Sequence, residues 1–405
     1  MEILYVSRLC SEKRFAAWLR DQPVKPPQQE QKFHGLLARG LASHSRGVSA
    51  LSVPPHHPGS MGFPTAAVES ERGITFHYLS LRMIPGLSHA MVFAWSFVSC
   101  LRWSILKRAS PRFVVCDVLD LSISAGALLA SKLAGVVSIA IVTDIPNYLH
   151  EYIGGGDSAF GIAVVRAYRA LSTFFMGRYD GYILLTEAMN ALVNPLGRPH
   201  LVMEGMVDPD MEQVDNTLDG KFPERVILYA GALYEKYGVA SLLDAFLQVS
   251  REDARLWLYG SGELDQKIRE YETRDTRIKY WGVRPNAEVV AAEVRATLLV
   301  NPRPSHEAFT RFSFPSKNME YMASGTPILT TPLPGMPAEY LDHVYTFQDE
   351  SVEGMAGMLS LLLARPREEL HLRGQGAKMF VLTRKSNLIQ AGRIHGFLES
   401  IGRTP

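Results

Sequence analysis

Residues Phe113 to Asp144 read FVVCDVLDLSISAGALLASKLAGVVSIAIVTD. Phe113-Val-Val-Cys116 is a short β-type run, Leu121 to Ala134 is an alanine- and leucine-rich segment, and Val136 to Val142 is a second β-branched run ending at Asp144. Runs of this length and makeup predict strand, helix and strand. That is a βαβ unit. Its apolar strands carry no polar alternation, as expected of a parallel sheet covered on both faces. Leu121 to Val142 approaches transmembrane length but is interrupted by Lys132 and Gly135, and Leu87 to Leu101 is uncharged but short. Neither reads as a span.

The same alternation extends in both directions. Before this unit it predicts a strand at Glu2 to Ser7, a helix at Gln29 to His44, a strand at Val48 to Val53 and a helix at Ala90 to Lys107. After it come a helix near Ala159 to Phe175, a strand at Tyr182 to Leu185 and a helix opening at Thr186. Between Glu204 and Glu224 the pattern stops in an acidic, proline-containing stretch, read as a linker. A second series follows, with strands at Val226 to Ala230, Leu256 to Tyr259, Ile278 to Tyr280, Leu298 to Val300 and Ile328 to Thr330. The reading is two α/β domains, residues 1–205 and 224–381, joined by a linker at 206–223. A C-terminal helix within 382–405 packs back toward the first domain. Ligands are expected in a cleft where the strand ends of both sheets meet.

The 405 residues are enough for two cores, and 47% hydrophobic with 20% charged residues excludes a disordered or collagen-like chain. Lys and Arg number 42 against 41 Asp and Glu, so nucleic acid is not expected as a partner. Residues 1–205 carry 19 basic and 14 acidic side chains, and residues 206–405 carry 23 and 27. Such opposite signs point to domains with different neighbours, although surpluses this small also arise by chance. Cys10, Cys100 and Cys116 form neither a disulfide framework nor a thiolate zinc site. The N-terminus, MEILYVSRLCSEKRF, has no apolar segment followed by a cleavage site, so a cytoplasmic location is expected.

Several chemical signatures are missing: GxxxxGK[ST], a GxGxxG between strand and helix, HExxH and GxSxG, the last missed by Gly156-Asp-Ser-Ala-Phe160 at its final residue. Gly154-Gly-Gly156 reads as a flexible loop more readily than as an anion cradle. Asp208-Pro-Asp210 has the spacing of a metal-binding carboxylate pair, but its place in the acidic stretch favours a solvated hinge. No cluster of His, Cys or carboxylates is legible at a strand end, and no metal is expected.

The informative stretch is Phe312-Ser-Phe-Pro-Ser-Lys-Asn-Met-Glu-Tyr-Met-Ala-Ser-Gly325. Pro315 suits a first helical position and Gly325 a C-terminal cap, so Pro315 to Ser324 is predicted as a short helix. Free amides at its N-terminus, with Ser316 and Lys317, favour a phosphate. Glu320, at i+3 from Lys317 and i+4 from Ser316, shares their face, where a carboxylate can accept from two vicinal hydroxyls. The pattern matches a nucleoside diphosphate. Taken alone, the helix reads equally as a capped amphipathic element with Phe314, Met319 and Met322 in the core.

These residues resemble the retaining glycosyltransferases of the GT-B fold, family 4, whose nucleotide-binding domain carries a helix of the type SFPSKxxEYMAxGxPIL. The resemblance extends to Tyr229-Ala-Gly-Ala-Leu233 with Gly238, Tyr259-Gly-Ser-Gly-Glu263, Trp281-Gly-Val283, and Pro334-Gly335 with Glu339. It covers nearly all of 224–381, whereas 1–204 resembles the family only in layout. It implies an α/β GT-B architecture, two Rossmann-like domains facing across a cleft. It also implies transfer of a sugar from a UDP- or GDP-type donor, with no separate cofactor, to a glycan or lipid-linked acceptor in bacterial polysaccharide synthesis. Gly231, Gly260 and Gly262 would admit the diphosphate, Gly282, Val283 and Arg284 would face the base, and Glu320 would hold the ribose.

Two departures stand out. The family pairs two glutamates eight positions apart, but Phe312 occupies the first place; Glu307 is the substitute, or Ser305-His306-Glu307 is an exposed turn. Ala232 and Tyr237 stand where the family has Arg and Lys, leaving Lys236, Lys317 and Arg303 as sources of positive charge. Asp144 is a candidate near the sugar or acceptor and equally a loop cap. Glu187, Glu204, Arg8 and Lys13 are weaker candidates at strand ends. A silent sugar-nucleotide-binding protein and an epimerase of the same fold remain alternatives. Met91 to Arg108, apolar and aromatic with Arg102, Lys107 and Arg108 at one end, reads as a buried helix or as a peripheral contact with the inner face of the plasma membrane.

Overall fold

The computed structural model describes residues 1–20, 28–53, 68–79, 84, 87–145 and 159–402. They fall into two compact units, Met1–Met206 with Asn387–Pro405, and Val207–Ser386. The Gly154–Gly156 loop lies outside the described residues.

The first unit runs β1 (Glu2–Ser7), α1 (Glu12–Arg20), α2 (Gln29–His44), β2 (Gly47–Ser52), β3 (Val68–Glu71), β4 (Ile74–Tyr78), α3 (Ser88–Leu106), β5 (Arg112–Asp117), α4 (Leu121–Leu133), β6 (Val137–Val142), α5 (Ala159–Met176), β7 (Gly181–Leu184), α6 (Glu187–Val193) and β8 (His200–Val202). Its eight-stranded sheet has the order β3-β4-β2-β1-β5-β6-β7-β8 and is parallel except for the β3–β4 pair. The βαβ unit forms as the sequence predicts. Asp120 caps α4 by accepting from the Ser122 amide at 3.1 Å, Gly135 turns the chain at φ +60°, and β6 pairs with β5 in the register Phe113↔Val137. The β3–β4 hairpin, β8 and β14 are absent from the sequence reading: Val68-Glu-Ser-Glu71 is a polar edge strand, and β8 and β14 are only three and two residues long; the hairpin turn places Arg72 and Gly73 at φ 48° and 79°.

The second unit runs β9 (Arg225–Ala230), α7 (Val239–Leu247), β10 (Ala254–Tyr259), α8 (Asp265–Arg274), β11 (Ile278–Gly282), α9 (Asn286–Arg295), β12 (Leu298–Asn301), α10 (Ser316–Ser324), β13 (Ile328–Thr330), β14 (Tyr345–Thr346), α11 (Val352–Ala364) and α12 (Arg367–Lys385). All six strands are parallel, in the order β11-β10-β9-β12-β13-β14. The last helix, α13 (Asn387–Gly402), belongs to the first unit. It packs on α2, where a Cβ on Gly40 would stand 2.5 Å from the Asn387 carbonyl, and Ala391, Ile394 and Leu398 join the core around Leu37 and Leu41.

The units divide differently from the sequence reading. The acidic stretch read as a linker over 206–223 lies, from Val207 onward, inside the second unit, and so do residues 382–386. Side-chain hydrogen bonds explain this. Asn216 donates to the Ser324 carbonyl at 2.8 Å, Lys221 donates to the Val294 carbonyl at 2.7 Å, and Lys378 donates to the Val214 carbonyl at 2.7 Å. Entry and exit of the chain are joined by a bond from the Val207 amide to the Lys385 carbonyl at 3.0 Å.

Candidate functional site

The helix α10 starts at Ser316, with Pro315 as its N-terminal flank and not its first residue, and ends at Gly325 in the left-handed region at φ 76°. Four buried polar side chains fix its first turns. Asn301 at the end of β12 donates to Asn318 Oδ1 at 2.6 Å, and Asn318 donates to Thr330 Oγ1 of β13 at 3.2 Å. Tyr321, fully buried, accepts from the Ala230 amide at 2.7 Å and donates to the Ala230 carbonyl at 3.1 Å, tying α10 to the end of β9. Phe314, Met319 and Met322 are buried, as the core reading of this helix expects, while Ser316, Lys317 and Glu320 on its other face are at least partly accessible.

On the open side, Ser316 is exposed, and Lys317 Nζ lies 2.8 Å from Glu320 Oε2. Both side chains of the pair are about one-third accessible, 33% and 29%. Burial alone would lower the pKa of the Lys317 ammonium, but the charge and hydrogen bond of Glu320, with Glu293 adding, outweigh it and hold it above the ordinary lysine value. The cation assigned to a phosphate and the carboxylate assigned to a diol therefore neutralise each other.

The glycines predicted to face a donor are explained first by their own packing. A Cβ on Gly260, at φ +121°, would lie 1.8 Å from the Gly231 carbonyl, and one on Gly262 would lie 2.3 Å from the Leu233 carbonyl. The loops after β9, β10 and β11 are laced by amides, Gly231 to the Tyr259 carbonyl at 3.0 Å and Gly260 to the Gly282 carbonyl at 2.9 Å. Beside them Val283 is 63% exposed, and Arg284 Nε donates to the Trp281 carbonyl at 3.0 Å. The structure thus brings Gly231, Gly260, Gly262 and Gly282 together at the C-terminal ends of β9, β10 and β11.

Arg303, on the β12–α10 loop, lies with its guanidinium carbon 4.6 Å from the Tyr237 ring centroid and 5.5 Å from that of Phe309. Its Nε is buried with no hydrogen-bond partner among the described residues, and burial lowers its pKa. A desolvated cation held by rings has the character of an anion-binding group. Sequence reading named Arg303 but not its ring partners; the signal was Tyr237 standing where the resemblance expects lysine. Lys236 lies 5.8 Å from the Tyr237 ring. Glu307 sits on a compact turn: its carbonyl accepts from Thr310 Oγ1 at 2.7 Å and its carboxylate is 4.0 Å from His306 Nε2. Phe312 closes the short helical turn Ala308–Phe312.

In the first unit Asp144 follows β6 and accepts from the Ile145 amide at 2.7 Å, a local loop bond. Glu187 pairs with His200 at 3.0 Å, Arg8 pairs with Asp120 at 2.9 Å, and Glu204 is buried. Sequence reading missed a cluster at a strand end, in which Glu30, His34 and Asp117 gather from α2 and β5. Contacts so distant in sequence leave no local signal.

Residues 224–365 match the family Glycosyl transferases group 1. That region holds the laced glycines, Arg303, Lys317 and Glu320. No curated protein matches the chain. Among solved structures, the whole chain is similar to HepE of Anabaena in complex with UDP and glucose, at 13% identity and TM-score 0.63, covering 99% of this chain and 100% of that one. Sucrose-phosphate synthase of Thermosynechococcus elongatus is similar at 15% identity and TM-score 0.68, covering 99% of each chain. The lipopolysaccharide outer core galactosyltransferase WaaB is similar at 14% identity and TM-score 0.60, covering 99% of each chain. At such identities the likeness is one of fold. The chain has the two-domain α/β GT-B fold.

Proposed function

We propose that the protein is a retaining glycosyltransferase that moves a sugar from a nucleotide-diphosphate donor to a hydroxyl acceptor during bacterial surface-polysaccharide synthesis. The observation that carries this is the open N-terminus of α10, with Lys317 and Glu320 paired on its accessible face, inside the region matching group 1. The UDP, glucose and UDP-glucose named in the HepE structures support a UDP-type donor. The amides of Ser316 and Lys317, the Lys317 ammonium and Arg303 carry the diphosphate, and Glu320 turns to the ribose. As the glycosidic bond breaks, negative charge grows on the leaving oxygen, which takes the proton of the attacking hydroxyl on the same face of the sugar. Two cations meet this charge, so the donor site needs no metal.

Asp144 is assigned to the acceptor side and Glu307 to the donor sugar. A lipid-linked acceptor places the protein at the cytoplasmic face of the membrane, and α3 supports this. It is long and apolar enough to span a bilayer by length and composition, yet only 28% of its most apolar window is buried.

The test combines a thermal-shift panel of UDP, GDP and ADP with an assay of donor sugars and a lipid-extract acceptor. Stabilisation by UDP, release of nucleoside diphosphate and a product of unchanged anomeric configuration are expected, with UDP affinity unchanged by EDTA. Phe312, half-buried where the resemblance expects a glutamate, keeps a second reading in view, that of a silent binder; binding with neither transfer nor epimerisation would favour it and overturn the transferase.

A further inference from the structure

Asp117 closes β5, and Glu30 and His34 stand one turn apart on the first half of α2. Each offers one ligand-type atom, and the three atoms lie within 4.8 Å of one another. His34 and Asp117 are each 1% exposed, whereas Glu30 faces solvent. His34 Nε2 lies 3.2 Å from Asp117 Oδ2, yet that buried oxygen has no hydrogen-bond partner among the described residues. The two atoms sit side by side, and not as donor facing acceptor. Such a separation is that of two ligands sharing one cation at roughly 2.0–2.2 Å from each. The other ring nitrogen, Nδ1, is 2.6 Å from the Tyr5 hydroxyl, an outer partner that orients the imidazole; with the ring proton on Nδ1 donated to that hydroxyl, Nε2 presents its lone pair to the ion. Asp117 Oδ1 is held by the Leu119 amide at 3.1 Å. The neighbouring cation, Arg8, is paired with Asp120.

We infer that Glu30, His34 and Asp117 form a binding site for a divalent first-row cation in the first unit, separate from the donor-binding residues of the second. One imidazole and two carboxylates suit Zn²⁺ or Mn²⁺ better than the hard cations Mg²⁺ and Ca²⁺. Three protein ligands with one at the surface leave coordination positions open to water or a ligand oxygen. The inference is independent of the glycosyltransferase reading.

Full-length protein, stripped with EDTA and dialysed, is titrated calorimetrically with zinc chloride or manganese chloride alone, without nucleotide. One equivalent is expected to bind in the micromolar range or tighter. Glu30→Gln, at an exposed position that leaves the fold intact, should weaken binding at least tenfold, and His34→Gln should abolish it. His200→Gln, at the exposed Glu187–His200 pair, should change nothing. The far-UV circular dichroism of each variant is recorded, and if His34→Gln does not fold, Glu30→Gln decides. Absence of binding to the wild type, or binding that Glu30→Gln leaves at full strength or that His200→Gln removes, overturns the site.

Discussion

Lys317 and Glu320 face each other across one turn of α10 at 2.8 Å. A donor must therefore separate or share this pair, and the two residues respond differently to substitution. If Glu320 holds the ribose diol as proposed, Glu320→Gln should weaken charged hydrogen bonds worth roughly 1.5–3 kcal/mol, a loss of roughly 10- to 150-fold in UDP affinity by calorimetry. Lys317→Met should lower turnover more than it weakens ground-state binding, because the charge it meets grows in the transition state. Wild-type UDP affinity and turnover in two folded variants would reduce the helix to a structural cap.

At the scale of elements, the loops after β9 and β10 are close-packed backbone against backbone. Gly260→Ala places a methyl against the Gly231 carbonyl at a positive φ, and unfolding titrations should show a loss of roughly 2 kcal/mol or more. Gly357, exposed within α11 with nothing within 4 Å of its Cβ position, is the contrast. Gly357→Ala should stabilise by about 0.5–1 kcal/mol. The hold of α10 on β9 is tested by Tyr321→Phe, which leaves the Ala230 amide buried without its partner. A cost of about 1–3 kcal/mol is expected in urea unfolding.

For the molecule as a whole, pH reports on Lys221, which burial first, and then the charge of Arg367, pushes down to about 7. In the unfolded chain a lysine titrates near about 10.4. Between those values the unfolded state binds the extra proton, so this residue makes stability rise with pH, and the contribution is lost as pH falls toward 7. The urea midpoint of the wild type should therefore gain more between pH 7 and 9.5 than that of Lys221→Met; equal gains would show that Lys221 stays charged when folded. A second whole-molecule expectation concerns the bilayer. Val98, Ile105 and Leu106 on α3 and Leu133 on α4 are 58–70% exposed, with Arg102 and Lys107 nearby in sequence. Cosedimentation with anionic vesicles at low salt, lost with neutral ones, is expected; folded protein that stays in the supernatant with both refutes peripheral contact.

Local patterns carried much of this protein in legible form. The order of most strands and helices, the βαβ unit at Phe113 to Val142 and the helix at Ser316 to Ser324 follow from runs of apolar residues, caps and punctuating glycines, which act over one or two turns. The polar strand Val68–Glu71 carried no such pattern, because an edge strand need not be apolar. Contacts between distant positions decided the rest. Asn216, Lys221 and Lys378 draw the acidic stretch into the second unit, Tyr237 and Phe309 hold Arg303, and Glu320 occupies Lys317. Tyr5, Glu30, His34 and Asp117 come together from two strands and a helix. Each of these depends on which side chains meet after the chain has folded back on itself, and spacing along the sequence records no such meeting.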